Sequence, residues 1–434
     1  MKLTQGQKIR AIDGEIIVVE KFLASGGQGE VYKVNFKGES KALKWYTCKF
    51  LDEDAFYANL SKNVDMGIKK GAPSKEFLWP LALTEKCFGS FGYVMDLIPD
   101  GYYEIDHYIM ALVKFSSFKS AVEACIQINS AFRALHLKGL AYQDLNGGNF
   151  VINPETGNVL ICDNDNVAPD GMTTGIVGTP GYMAPEVFAG KSLPNKRSDQ
   201  YSMAVLFFIL LCGNHPLEGR RWAEIPCLTD KKAMKLYGTH PLFVYDPADR
   251  SNEPVQGVHD NVLMRWQFMP QYIREMFQKA FSAQALMDSN RRVSEIEWLQ
   301  TLCRFRSDIV TCQNPGCGGE VFISNAASTK CDCCGKMYPV THKLKLPMYD
   351  IPVVSKARIY KCQLGTCSMS EALEPIAIIL KKEKEFCVKN KSNLIWAGTT
   401  LGGRRKKVEP DSMVPVREGI SFEIEDKKIE IITS

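Results

Sequence analysis

His136-Leu-Lys-Gly-Leu-Ala-Tyr142-Gln143-Asp144-Leu-Asn146-Gly-Gly-Asn149-Phe150-Val151, followed by Val159-Leu-Ile-Cys-Asp163, is the stretch that decides how this chain is read. It follows a predicted helix, Ser120–Leu137, whose apolar residues recur at helical spacing and which ends in Lys138-Gly139. Asp144, Asn149 and Asp163 stand at successive spacings of five and fourteen residues. Any one of them alone reads as a turn residue. In this order they offer a carboxylate that can take a hydroxyl proton and two oxygen ligands for Mg2+, which are the groups phosphoryl transfer needs.

Upstream, Leu23-Ala24-Ser25-Gly26-Gly27-Gln28-Gly29-Glu30-Val31 lies between strand candidates Glu15–Lys21 and Val31–Phe36. Glycines let a backbone approach phosphate oxygens, and free N–H groups there hold anions. Taken alone, the turn reads equally as an ordinary hairpin. Lys44 follows fifteen residues after Gly29, in a strand candidate spanning Lys41–Tyr46. An inward lysine is costly unless paired, so it is a candidate phosphate contact, whereas an edge-strand lysine would simply be solvated. Asp52–Val64 is predicted helical, and Phe91–Ile98 is a strand ending at Pro99. Beyond residue 120 helices dominate: Ser198–Cys212, Pro270–Ala283, and Ser294–Phe305, which opens with Ser-x-x-Glu capping chemistry. A β-rich lobe before a helical lobe is an α+β arrangement.

In these motifs residues 9–305 resemble the eukaryotic-like Ser/Thr protein kinases. The resemblance implies a bilobal protein kinase fold and the cofactors ATP and Mg2+. It makes Asp144 the catalytic aspartate and Lys44 the strand lysine on the ATP phosphates. Asn149 and Asp163 become the Mg2+ ligands. It places Ser25, Gly26, Gly27, Gly29, Val31, Ala42 and Val151 around the nucleotide, with Met95, Asp96 and Leu97 as gatekeeper and adenine-binding hinge. Gly178-Thr-Pro-Gly-Tyr-Met-Ala-Pro-Glu186 resembles the end of a Ser/Thr-kinase activation segment, Ser198–Ser202 the start of the large helix of the second lobe, and Arg292 the partner of Glu186. There are departures. Ala24 replaces the first loop glycine, Tyr142-Gln143 replaces His-Arg, Asn146 replaces a lysine, and Asn164-Asp165 replaces Phe-Gly. The helix glutamate expected to pair with Lys44 is not evident: Glu53 comes early, and Asn59 stands nearer the usual spacing.

Fifteen cysteines occur in the chain, five of them between Cys312 and Cys334. Cys312-x4-Cys317, thirteen residues, then Cys331-x2-Cys334-Gly335 is the spacing of two knuckles around a tetrahedral Zn2+, and resembles a zinc ribbon. Cys333 could stand in for Cys331 or Cys334, although C-x2-C suits a knuckle better. A further pair, Cys362 and Cys367, has only Cys387 nearby and reads as ordinary thiols. After residue 346 the pattern is β-type: Ala357–Lys361, Pro375–Leu380, Glu385–Lys389, Leu394–Ala397, and Ile420–Ile432 around a charged turn. Residues 386–434 resemble a forkhead-associated β-sandwich without that family's Gly-Arg and Ser-x-x-His phosphopeptide signals, so only the sandwich is carried over. The expected organisation is an N-lobe over 1–98, a C-lobe over 99–305, a zinc ribbon over 306–345 and an all-β domain over 346–434.

The chain has 434 residues, 45% apolar and 24% charged, which are ordinary globular values. Its net charge is +4, and residues 341–434 hold 17 basic and 12 acidic residues. Such a bias is usually a solvated face, so neither a nucleic-acid nor a membrane partner is expected. The start, MKLTQGQKIR, has no apolar signal region, and the longest apolar run, Met203 to Cys212, is ten residues. A cytoplasmic setting is expected. The resulting expectation is an ATP-dependent Ser/Thr protein kinase in bacterial signalling or stress response, similar to kinases of tellurite-resistance-like operons. Its partners would be a protein substrate and, by architecture alone, a phosphatase or von Willebrand-type protein. A pseudokinase scaffold that binds nucleotide without chemistry, and a small-molecule kinase, are the competing readings.

Overall fold

The computed structural model describes every residue except Met1, Thr174, Ile176, Val177, 324–327, Asp332, Thr366, 368–370, Leu373 and Lys384. The chain forms two compact units: residues 1–116, 127–268 and 277–293 make the first, and 117–126, 269–276 and 294–434 the second.

The first unit begins with a six-stranded antiparallel sheet built from β1 (Lys8–Arg10), β2 (Ile16–Ser25), β3 (Gly29–Phe36), β4 (Glu39–Tyr46), β5 (Ala82–Leu83) and β6 (Gly92–Met95). Its strand order is β1-β2-β3-β4-β6-β5. Alternation divides the strands between two faces. Val34, Leu43, Trp45 and Val94 fill one apolar cluster, and Ala42, Tyr46, Tyr93 and Met95 fill another, with Phe56, Leu60 and Val64 of helix α1 (Glu53–Lys70). Lys44, between Leu43 and Trp45 in sequence, therefore shares the face of Ala42 and Tyr46. Gly29 is required by close approach: a Cβ there would lie 2.2 Å from the carbonyl oxygen of Trp45. Helix α1 starts where Asp52 accepts the Ala55 N–H at 3.0 Å, with Glu53 and Asp54 in the first turn. It runs six residues past the predicted end at Val64; the apolar residues there are Met66 and an exposed Ile68, so the continuation shows no buried stripe in the sequence.

In the helical part of the first unit the Lys196–Cys212 helix is buried at every position from Ser198 onward, so it reads as a continuous apolar run. Asn195 and Ser198 close its N-terminus as a reciprocal capping box. The predicted Pro270–Ala283 helix divides into Gln271–Ala280 and Ala283–Met287. Ser282 breaks it by capping the second piece, accepting the Ala285 N–H at 3.2 Å.

The second unit carries the helix Glu295–Asp308, two short hairpins in the cysteine-rich stretch, and two antiparallel sheets. The six-stranded sheet runs Asp350–Pro352, His342–Lys345, Lys427–Thr433, Ser421–Ile424, Trp396–Thr399, Arg405–Val408; the four-stranded one runs Arg358–Tyr360, Pro375–Lys382, Glu385–Asn390, Met413–Pro415. Leu344, Ile359, Ile379, Val388, Trp396, Phe422 and Ile429 form their shared core. The predicted strand Leu394–Ala397 is displaced to Trp396–Thr399, because Asn390 draws Leu394 into a turn by donating to its carbonyl at 2.8 Å. Among the described residues no helix is long and apolar enough to cross a membrane.

Asp308, at the end of its helix, is buried and accepts a hydrogen bond from the Tyr272 hydroxyl at 2.6 Å. Burial pushes its carboxyl up to about 6, although Tyr272 and Arg304 act the other way. An unfolded aspartate titrates near ~3.9. The folded state therefore holds this proton more tightly. The resulting stabilisation is complete below ~4 and is lost as pH rises through the folded value, a swing of about 3 kcal/mol. Asp308→Asn is expected to stabilise the protein at pH 7.5 and to change it little at pH 4. Denaturant unfolding at both values checks this, and an equal effect at the two would contradict the assignment.

Candidate active site

The residues singled out around the phosphate loop converge within the first unit. The Gly26 N–H donates to the Gly29 carbonyl at 2.8 Å and closes the turn that holds Ser25, Gly26 and Gly27. Strand register sets Val31 opposite Lys44, and Ala42 opposite Met95. Met95 is buried, while Asp96, next along, reaches the Lys41 ammonium at 2.8 Å and Leu97 packs on the Ala42–Tyr46 cluster. Val151 is buried in the Phe150–Ile152 strand.

Lys44 is almost wholly buried and its ammonium has three oxygen-bearing partners: Gln28 Oε1 at 2.8 Å, Asp163 Oδ1 at 3.0 Å and Asp165 Oδ2 at 3.0 Å. Burial alone would lower its pKa. Asp165 and Asp163 more than offset that, so the ammonium stays charged well above the usual lysine range. Asp163 sits in a left-handed conformation, φ 49°, and begins a tight turn over Asn164–Asn166. Burial raises its carboxyl above the usual range against the pull of Lys44. The helix glutamate sought in the sequence is absent from this network. Glu53 instead pairs with Lys86 at 2.9 Å, and Asn59 donates to the Val167 carbonyl at 2.9 Å.

The loop that carries Asp144 hangs from one buried carboxylate. Asp199 accepts the backbone N–H groups of Tyr142 at 2.7 Å and Gln143 at 3.3 Å, and lies 3.1 Å from His136 Nε2. The Tyr142 hydroxyl donates to the Cys162 carbonyl, which ties the loop to the strand before Asp163. Asp144 Oδ1 accepts from the Thr179 N–H at 3.0 Å and the Thr179 hydroxyl at 3.1 Å. Asn149 donates from Nδ2 to the Asp144 carbonyl at 2.8 Å, and this bond leaves its amide oxygen as the acceptor. Asp163 is a third exposed, so a cation could reach it. A carboxylate and an amide oxygen are hard donors of the kind Mg2+ takes. Gln143 donates to the Met172 carbonyl at 2.6 Å, and Arg292 grips Glu186 with two N–H groups, one at 2.8 Å. Asp165, Tyr46, Tyr93 and Gln28 were not read as site residues. The available signal was Asp165 itself, an acid two positions after Asp163 in a chain whose first helix has Asn59 near the spacing where a glutamate is expected.

In the second unit Cys312, Cys317, Cys331 and Cys334 bring their sulfurs within 4.8 Å of one another. The pairs Cys312–Cys334 and Cys317–Cys331 each stand 3.7 Å apart. Disulfide sulfurs would be ~2.05 Å apart. Four thiolates at ~2.3 Å from a tetrahedral ion have edges of about 3.8 Å, which fits the spacing found. Cys333 is exposed and outside the cluster. Gly319 leaves room for the sulfurs: a Cβ there would meet Cys333 Cβ at 2.8 Å and Cys317 Sγ and Cys331 Sγ at 3.3 Å. The backbone N–H of Lys336, with Asn314 and the neighbouring thiols, pulls the Cys334 thiol down to about 6, a donor set suited to a thiophilic cation.

Residues 88–284 match the protein kinase domain family. The chain is 26% identical over 213 residues to protein kinase C-like 1 of Caenorhabditis elegans, covering 47% of this chain and 29% of that protein. It is 29% identical over 234 residues to the probable serine/threonine-protein kinase gdt4 of Dictyostelium discoideum, covering 51% and 14%. The chain thus spans less than a third of the length of these relatives. Among solved structures, the PknI kinase domain of Mycobacterium tuberculosis aligns over 69% of this chain and 97% of its own, with TM-score 0.45 and 18% identity. The stretch that matches this family, residues 88–284, contains Asp144, Asn149 and Asp163, and Lys44 precedes it.

Proposed function

We propose that this chain is an ATP-dependent Ser/Thr protein kinase of bacterial signalling or stress response, moving the γ-phosphoryl group of ATP to a Ser or Thr hydroxyl of a protein substrate. The observation that carries this reading is Asp144, whose carboxylate is aimed by Thr179 while its loop hangs from Asp199. Asp144 takes the substrate hydroxyl proton as the oxygen bonds to the γ-phosphorus and the bond to the β–γ bridging oxygen breaks, releasing ADP. Lys44 holds phosphate oxygens, and Asn149 and Asp163 would hold Mg2+. The bound Mg2+ supplies charge neutralisation of the phosphates. The complete set of four groups favours chemistry over a nucleotide-binding scaffold. A phosphatase or von Willebrand-type partner rests on domain order alone, and a cytoplasmic setting suits ATP use and a chain of fifteen cysteines. Asp144→Asn is expected to lower phosphate transfer to a generic protein substrate about 10³-fold while Mg·ATP affinity stays within about twofold, read by turnover and calorimetry. Equal turnover in the two proteins would end the kinase reading.

The four clustered cysteines are proposed to hold one structural Zn2+, with no open coordination position for catalysis. Metal analysis of protein purified without chelator is expected to give one zinc per chain. The metal should be lost in Cys312→Ser or Cys334→Ser, with unfolding confined to about 306–345, and kept in Cys333→Ser. Absence of zinc from the unmodified protein contradicts the site.

The activation segment is proposed to work without a phosphate reader. Gln143 is neutral and already donates to Met172, so it lacks the charge-assisted contact, worth ~1.5–3 kcal/mol, that an arginine makes with a loop phosphate. Of the two acceptors in that loop, Thr173 receives the Gly175 N–H at 3.0 Å, and Thr174 lies outside the described residues. Thr173→Ala/Thr174→Ala is expected to keep turnover within about threefold of the unmodified protein. A tenfold loss with the fold intact reverses this.

A further inference from the structure

Helix α1 has three acids, and each is engaged elsewhere: Glu53 and Asp54 on Lys86 at 2.9 and 2.7 Å, and Asp65 on Lys69 at 3.8 Å. Its inward polar residues are amides, Asn59 and Asn63, and both donate to the Val167 carbonyl at 2.9 Å. The carboxylate beside Lys44 comes from the other side of the cleft. Asp165 is fully buried and both of its oxygens are used. Oδ2 accepts from Lys44 at 3.0 Å and the Tyr46 hydroxyl at 2.5 Å, and Oδ1 from Lys44 at 3.3 Å and the Tyr93 hydroxyl at 3.4 Å.

We propose that Asp165 is the positioning counter-ion of Lys44: the turn after Asp163, rather than helix α1, presents the lysine to the nucleotide phosphates and keeps it from neutralising Asp163. This rests on the kinase reading above. The three partners of Lys44 differ in what they can give up. Gln28 is a neutral amide on the glycine loop, so phosphate oxygens can replace it at little electrostatic cost. Asp163 is a third exposed and is the oxygen donor reachable by a cation. Asp165 cannot leave without stranding a buried charge, so it alone is a permanent partner. One ammonium faces two carboxylates, so the cluster retains negative charge for a divalent cation. In Asp165→Asn, Lys44 and Asp163 would cancel, and a cation would have to compete with the ammonium for Asp163.

The test is a double-mutant cycle read by calorimetry of Mg·ATP binding and by melting of the nucleotide-free protein. Asp165→Asn is expected to weaken Mg·ATP binding about tenfold and to raise the Mg2+ concentration for half-maximal turnover several-fold, with saturated kcat within about threefold. Lys44→Met is expected to weaken binding to a similar degree and to lower the melting temperature, because it strands Asp165. Adding Asp165→Asn to Lys44→Met should cost less than about twofold further in affinity and should recover part of the melting temperature. A merely structural aspartate would give losses that add in both readouts, and that result overturns the proposal, as does an Asp165→Asn protein with unchanged Mg2+ dependence. If Asp165→Asn does not fold, Tyr46→Phe decides: it keeps every charge and removes one hydrogen bond on Asp165 Oδ2. A two- to fivefold weaker affinity supports the assignment, and an unchanged one rejects it. Failure of the kinase reading is separate: an unmodified protein that binds no Mg·ATP takes both readings down, whereas normal binding with an inert Asp165→Asn removes only this one.

Discussion

A lysine ammonium placed inside a protein must be paired or it will not stay charged, and the site is organised around meeting that demand for Lys44. Stripping water from one such ion costs several kcal/mol even after relaxation. A carboxylate at 3.0 Å returns roughly 5 kcal/mol at an effective dielectric near 20, and Lys44 has two. The hydroxyls of Tyr46 and Tyr93 then supply Asp165 with the hydrogen bonds it lost on leaving water. These tyrosines lie on the same face of the sheet as Lys44, so strand alternation sets lysine and tyrosines against one carboxylate together. The consequence for helix α1 is a change of job. It has no charge to deliver to the cleft, and it is fixed instead by Phe56, Leu60 and Val64 in the core and by two amides on one carbonyl.

A second buried carboxylate, Asp199, anchors the loop that carries Asp144. Asp199 stands in the first turn of the buried Lys196–Cys212 helix, where the helix dipole favours negative charge. Its oxygens collect two backbone N–H groups and approach His136. The loop, whose Tyr142 and Leu145 are themselves in the core, is thereby fixed to a buried helix as well. Tyr142 extends this anchorage by donating to Cys162, one residue before Asp163. The loop and the turn that begins at Asp163 are therefore joined through the Tyr142 side chain itself, which stands where His is usual.

These arrangements differ in how far they can be read from the sequence. Asp144, Asn149 and Asp163 were legible because local turns and one hairpin fix their spacing. The α+β order and most strands of the sheets were legible from alternation and turn residues. Asp165 was not, because its partners Lys44 and Tyr46 lie 121 and 119 residues away and only the fold brings them together. Strands such as His342–Lys345 and Arg405–Val408 were missed for another reason: each has a single buried apolar position, so neither shows a run that alternation can detect. Helix α1 was read short because its last turns are held by their charges and cap and by no apolar stripe.

Within the second unit the cysteine cluster has a structural consequence beyond its own stability. Cys312 follows the strand Ile309–Thr311, whose register against Glu320–Phe322 sets Thr311 opposite Glu320. The Cys312 N–H donates to the Gly319 carbonyl at 2.7 Å, one residue before that acid. Glu320 is thus held rigidly, and its two oxygens accept the N–H groups of Phe118 at 2.6 Å and Lys119 at 3.0 Å. Those are the first two residues of the Phe118–Leu137 helix, whose opening turn has no acidic residue of its own. A carboxylate at a helix N-terminus contributes about 1 kcal/mol and satisfies donors the helix cannot satisfy internally. The acid that the helix lacks in its opening turn is supplied about two hundred positions later, by the hairpin that carries Cys312 and Cys317.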